Sequence, residues 1–159
     1  QDTVAAFHQL VEDGKIRYWG VSNFDHRALA ELQDVPGSSG LATDQVLYNL
    51  SRRGPEYDLL PWCAEHQLPV MAYSPIEQGR ILHDTTLNDV AARHSVSAAA
   101  AAIAWVLRRD SLCTIPKASS PQHVRDIATA LDVELTREDL DALDRAFPPP
   151  SGPRPLEML

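Results

Sequence analysis

The sequence predicts an α/β protein built on a parallel sheet, and three observations carry that expectation. Segments rich in β-branched and aromatic residues alternate with segments of helical apolar spacing, the pattern of parallel strands joined by right-handed crossovers. Polar residues stand just past each apolar strand segment: Ser22 and Asn23, Asn49, Tyr73 and Ser74, and Lys117 with Ser119. No Gly-x-Gly-x-x-Gly follows any of these segments. That absence weakens a doubly wound dinucleotide fold relative to an eight-stranded barrel, whose strand-end loops make the site. On the residues alone both architectures stay open, and only four strands are legible, half of such a barrel.

The first element reads as an amphipathic helix with Val4, Phe7, Leu10 and Val11 on one face, ending at Gly14, a residue that adopts positive φ without a Cβ penalty. The chain opens with Gln1 rather than Met, and the helical spacing is already running there. The expectation is a piece of a longer protein, with residues 1–14 closing a helix begun elsewhere. Ile16 to Ser22 reads as a strand, and Asp25 as the N-cap of a helix carrying Leu29 and Leu32. Pro36 to Gly40 is a loop, Thr43 to Tyr48 a strand, and Glu56 to Gln67 a helix interrupted by Pro61. Pro69 to Ser74 is the third strand, followed by a helix begun at Thr86, with Asp89 at capping-box spacing. Ser97 caps an alanine-rich helix from Ala98 to Arg109, and Leu112 to Ile115 is the fourth strand. Pro121 suits the first turn of a helix running to about Leu131. Thr136 with Asp139 forms a second capping box, flanked by Leu135 and Leu140 as a hydrophobic staple. After Phe147 three prolines stop the last helix and leave residues 148–159 as a proline-rich tail. Residues 1–159 read as a single domain.

Composition narrows the function classes. With 44% hydrophobic and 23% charged residues in 159, a globular core is affordable. A formal net charge of -8 and no basic stripe argue against a nucleic-acid partner. No run reaches the length of a membrane span and the amino terminus lacks a basic start with an apolar middle, so no membrane partner is expected and the cytoplasm is the expected location. Cys63 and Cys113 read as reduced thiols, and Cys63 with His66 is too small a set for a metal, so no metal site is expected.

Four ordered strings then carry a specific resemblance: Gly14 to Phe24 (GKIRYWGVSNF), Gln45 to Leu50 (QVLYNL), Ala72 to Ile76 (AYSPI) and Ile115 to Ser119 (IPKAS). In order and spacing they resemble the carboxyl-terminal half of the aldo/keto reductases. Tyr48 with Ser51 to Gly54, Leu59 to Cys63 and Pro75 to Arg80 is similar to the prokaryotic branch that includes methylglyoxal reductases. The resemblance implies the last four β-α units of a TIM-type (β/α)8 barrel, plus a carboxyl-terminal helix and tail. It implies an oxidoreductase that binds NADP(H) and moves a hydride to an aldehyde or ketone, leaving the protein to hold the ring, choose its face and stabilise the carbonyl oxygen.

Carried over residue by residue, Ser22, Asn23 and Gln45 match positions that hydrogen-bond the nicotinamide carboxamide, and Tyr73 matches the aromatic that stacks on its ring. Ser74, Pro75 and Gln78 match the loop along the pyrophosphate. Lys117, Ala118, Ser119 and Ser120 match the segment that meets the adenosine 2′-phosphate. Many members carry a serine directly after the lysine and an arginine six positions beyond it; here Ala118 and His123 stand there, so NAD(H) stays open beside NADP(H). Asp126 falls where an acid near the adenine is common. The family's catalytic Asp, Tyr, Lys and His lie on the first four β-α units and have no counterpart in these residues; Tyr48, Tyr57 and His66 have no partners that would make them general acids. The expectation is a cofactor-binding half without catalytic residues. Its alternatives are a noncatalytic NADP(H)-binding module and a structural half barrel that self-associates through exposed strand edges.

Overall fold

The structure, a computed structural model, describes residues 2–159; Gln1, at which the first helix was expected to be entered, lies outside them. Four strands, β1 (Trp19–Ser22), β2 (Leu41–Leu47), β3 (Val70–Tyr73) and β4 (Leu112–Thr114), pair in parallel in the order β1-β2-β3-β4. Around them lie α1 (Asp2–Glu12), α2 (His26–Gln33), α3 (Leu59–Glu65), α4 (Thr85–Arg93), α5 (Ala98–Leu107), α6 (Pro121–Ala128) and α7 (Arg137–Ala146), with short 3-10 turns between. A doubly wound sheet reverses its strand order at a switch point. Here spatial order follows chain order throughout, so right-handed crossovers lay the helices on one face.

Strand alternation divides the side chains between that covered face and the opposite one. Val46, Val70, Ala72 and Leu112 pack with Leu29, Leu59, Leu87, Trp105 and Leu143 in the core. On the other face the register sets Ser22, Gln45, Met71 and Cys113 in one row, and Ser22 and Cys113 at its two ends are exposed. α5 is buried from Ala100 to Val106 and packs on α4, α6 and β4. Its alanines permit close approach from several sides, which is why a helix without a polar face suits this position. No single helix among the described residues is long and apolar enough to cross a membrane.

Local signals account for most element boundaries. Asp25 Oδ1 accepts from the Ala28 N–H at 2.8 Å, and Ser97 Oγ from the Ala100 N–H at 3.1 Å. Thr136 and Asp139 form the complete capping box at α7. Side-chain caps of this kind contribute about 1 kcal/mol each. Elsewhere the boundaries move. α4 starts at Thr85 because Asp84, not Thr86, caps it, accepting from the Leu87 N–H at 2.9 Å. α3 starts at Leu59, after a separate 3-10 turn at Gly54–Glu56, and this puts Pro61 in its first turn, where no N–H is required. α6 ends at Ala128 and tightens into a 3-10 turn, Thr129–Asp132. β1 begins at Trp19, since the Ile16 N–H is spent on the Leu10 carbonyl at 3.3 Å. The end of α7 is pinned by the buried Arg53, whose Nη1 donates to Asp144 at 2.7 Å and to the Phe147 carbonyl at 2.5 Å.

Candidate functional site

The carboxyl ends of β1, β2 and β3 bring four of the expected residues together. Ser22 Oγ and the Asn23 N–H both donate to the Gln45 carbonyl, at 3.0 and 2.9 Å, which fastens the turn after β1 onto β2. Asn23 sits at φ 58, a left-handed conformation that asparagine tolerates better than most residues. Its Oδ1 accepts the Tyr73 hydroxyl at 3.1 Å. Gln45 Nε2 donates to the Met71 thioether at 3.1 Å; sulfur is a weak acceptor, so the Gln45 amide keeps hydrogen-bonding capacity for a ligand. The product is a half-buried phenol ring at a strand end, hydrogen-bonded to the Asn23 carboxamide, with Gln45 and Ser22 on the neighbouring strands of the same sheet face.

A loop continues from Tyr73. Pro75 is buried and Gln78 exposed, and Ser74, Glu77, Gln78 and Gly79 all have positive φ, at 55, 50, 56 and 89°. Beneath it the buried Asn49 donates through Nδ2 to the Ser74 carbonyl at 2.9 Å and to Glu77 Oε2 at 2.8 Å. Glu77, only 3% exposed, also accepts from Arg52 at 2.8 and 3.0 Å and from Arg80 at 3.0 Å. Burial opposes its ionisation, but the bonds from Arg52, Asn49 and Arg80 prevail and hold the carboxyl below its usual range. Arg52 reaches on to Glu157 of the tail at 2.6 Å.

The third cluster flanks a cavity of about 360 Å³ that shares Ile76 with this loop. Ile76, Ile103 and Ile127 line its apolar side, and Lys117, His123 and Asp126 supply its ionisable groups. Ser97 Oγ donates to Asp126 at 2.7 Å. Ser119 Oγ lies 3.3 Å from His123 Nδ1, while Ser120 Oγ is spent on the His123 N–H as the cap of α6. Ala118 is half-buried and brings no polar side chain. The expected residues thus fall into three adjacent clusters along one end of the sheet, with the Ser120 hydroxyl committed to capping α6 and the Ser22 hydroxyl to the Gln45 carbonyl.

Asp44, Asn49, Arg52 and Glu77 were not expected as site residues. Asp44 is fully buried one residue before Gln45; its Oδ1 is 3.5 Å from the Phe24 nitrogen and its Oδ2 has no hydrogen-bond partner among the described residues. Burial pushes it up to about 6, against the pull of the Phe24 and Gln45 N–H groups. Cys63 is pushed up to about 12 by burial and by the Asp44 charge. Cys63 is buried, Cys113 exposed, and both are free; His66 stacks on Trp62 at 3.8 Å and meets its carbonyl at 2.7 Å. The one sequence signal for Glu77 was its place three residues before Arg80.

A singly wound parallel sheet with its polar groups gathered at the strand ends is the arrangement of an α/β barrel enzyme, and residues 1–147 match the profile of the aldo/keto reductase family; the chain belongs to that family. It is 47% identical over 164 residues to methylglyoxal reductase YeaE of Escherichia coli, covering 100% of this chain and 58% of that protein. It is 32% identical over 160 residues to glyoxal reductase of Bacillus subtilis, covering 100% of this chain and 56% of that one. An aldo-keto reductase from Klebsiella pneumoniae, solved in complex with NADPH, superposes with a TM-score of 0.96 at 44% identity, over 100% of this chain and 58% of that one. The chain therefore spans a little over half the length of these relatives, and its four strands are consecutive units of a partial (β/α)8 barrel.

Proposed function

We propose that this chain is the cofactor-holding, carboxyl-terminal half of an NADP(H)-dependent aldo/keto reductase. On its own it binds the dinucleotide without reducing carbonyls. The observation that carries this is the Tyr73, Asn23 and Gln45 cluster, a flat aromatic face beside unsaturated carboxamide capacity. Those groups suit a nicotinamide: Tyr73 takes the ring, while Ser22, Asn23 and Gln45 take its carboxamide. Ser74, Pro75 and Gln78 follow the pyrophosphate. The cavity takes the adenosine, with Lys117, Ala118, Ser119 and His123 at its 2′-phosphate, and Ser120 contributes by shaping that turn. When bound, the reduced cofactor supplies the hydride; these residues fix which face of its ring is presented.

The substrate class is a small aldehyde or ketone, in keeping with the name of the methylglyoxal reductase relative. The proton donor and its partners come from the family's first four β-α units, so no catalytic residue is assigned here. We assign the chain to the cytoplasm, in keeping with its two free thiols. Among the described residues the outer edges of β1 and β4 are unpaired, and Tyr18 and Ile115 beside them are 76% and 44% exposed, which supports self-association of a half barrel. The test is fluorescence titration with NADPH and NADH beside an assay of NADPH consumption with methylglyoxal. Saturable binding without consumption is expected; consumption, or no binding by a folded chain, contradicts the proposal.

A further inference from the structure

The loop from Ser74 to Gly79 is unusual in its backbone. Three of its residues with side chains, Ser74, Glu77 and Gln78, occupy left-handed φ, and Gly79 makes a fourth such position. Side chains seldom adopt that region, and a run of such outliers persists only where the surroundings over-determine it. What over-determines this loop is a carboxylate inside it. Glu77 turns into the protein at 3% exposure, where Asn49 Nδ2 takes one oxygen at 2.8 Å and Arg52 and Arg80 converge on the other at 2.8 to 3.0 Å. The same Asn49 amide holds the Ser74 carbonyl, which also accepts the Glu77 N–H at 2.9 Å. The start of the loop and its buried acid are thus fastened to one asparagine at the end of β2.

A solvated loop needs no such anchor. A bridging carboxylate with four donors on two oxygens is an expensive device if the loop merely connects β3 to α4, because burial of a charge must be offset by every one of those bonds. The device makes sense where the loop must keep one shape for a ligand, since pre-organised groups bind without ordering cost at the moment of binding. We propose that Glu77 is a positioning residue: pinned by Asn49, Arg52 and Arg80, it holds residues 74–79 in the conformation that meets the cofactor's pyrophosphate. This rests on the cofactor reading above. Glu77 touches no cofactor atom in this account and acts through Ser74 and Gln78.

The test compares two ligands on the full chain. NADPH spans all three clusters, whereas adenosine 2′-monophosphate engages only the cavity with Lys117 and His123. In Glu77→Gln the carboxylate is lost at constant size, and NADPH is expected to bind at least tenfold more weakly by calorimetry while adenosine 2′-monophosphate binds within twofold of the parent. A purely structural role predicts equal losses for both ligands or none, and either result overturns the proposal. Arg80→Gln removes one of the donors from a side chain that is 55% exposed, and guards against a Glu77→Gln chain that does not fold. It is expected to weaken NADPH about threefold with the smaller ligand unchanged; unchanged NADPH binding overturns the proposal. If the parent chain binds neither ligand, or binds NADPH no more tightly than the monophosphate, the cofactor reading itself fails; if the parent prefers NADPH and Glu77→Gln keeps that preference unchanged, only the role of the loop fails.

Discussion

The Tyr73 hydroxyl donates to Asn23 Oδ1 across 3.1 Å, tying the last residue of β3 to the turn that leaves β1. Two roles meet in this tyrosine, an aromatic face and a hydrogen bond. Tyr73→Phe keeps the face and frees Asn23, and it is expected to change NADPH affinity by no more than about fivefold, a net hydrogen bond being worth about 1 kcal/mol. Tyr73→Ala removes both and is expected to cost more than about tenfold, in line with the 1–3 kcal/mol of an aromatic stacking contact. Calorimetric titration of the two variants separates the roles.

Asp44 gives a prediction for stability. Its carboxyl is buried with one oxygen unpartnered, and burial lifts it from 3.8 to about 6. The unfolded chain therefore releases this proton first as pH rises. The native state loses stability between about pH 4 and 6 and carries the full cost above that, on the order of 3 kcal/mol by linkage. Asp44→Asn, neutral at every pH, is expected to raise the urea midpoint at pH 7.5 and to have little effect at pH 4. A variant less stable than the parent at pH 7.5 would contradict this.

Asp139 has the opposite sign. It is 1% exposed and accepts from Arg93, from Thr136 and, at 2.8 Å, meets His94 Nε2, joining α4 to the start of α7. Burial works against its charge, yet those partners hold the carboxyl far below its usual range. Its stabilisation is present above pH 4 and is lost as pH falls. Asp139→Asn is expected to cost about 3 kcal/mol at pH 7, as for one partner removed from a buried ion pair. Urea unfolding at pH 7 and pH 3.5 should show the gap between parent and variant narrowing at the lower pH.

Lys117 and His123 share the cavity with the carboxylate of Asp126. If Lys117 meets a 2′-phosphate, Lys117→Ala weakens NADPH by about tenfold or more and leaves NADH within about twofold, a charge-assisted bond being worth 1.5–3 kcal/mol. Parallel titrations with the two cofactors measure the preference directly. Equal losses for both would place Lys117 away from the 2′-phosphate.

Much of this fold was legible in the sequence because its signals are local. Asp25, Ser97 and Thr136 cap the helices that follow them, and polar residues stand past all four strand segments. Thr86 and Asp89 misled because a capping box is a spacing rule, and Asp84 stood one residue before the helix with its carboxylate free to reach the Leu87 N–H. The three clusters of strand-end residues follow the order of the motifs. The support beneath them does not: Glu77 meets Asn49 and Arg52 across 28 and 25 residues of sequence. A lone acid in a loop reads as solvated until the fold buries it. Asp44 was hidden for a related reason, since a polar residue within an apolar strand carries no mark of which face it takes.

The most direct test of the account is amide chemical-shift mapping of the isotopically labelled chain during titration with NADPH. Saturable shifts are expected at Ser22 and Asn23, at Gln45, from Tyr73 to Gln78, and from Lys117 to His123, with α1 and α7 unmoved. A well-dispersed spectrum of a folded chain that does not change with NADPH, or changes only outside those three clusters, would contradict it.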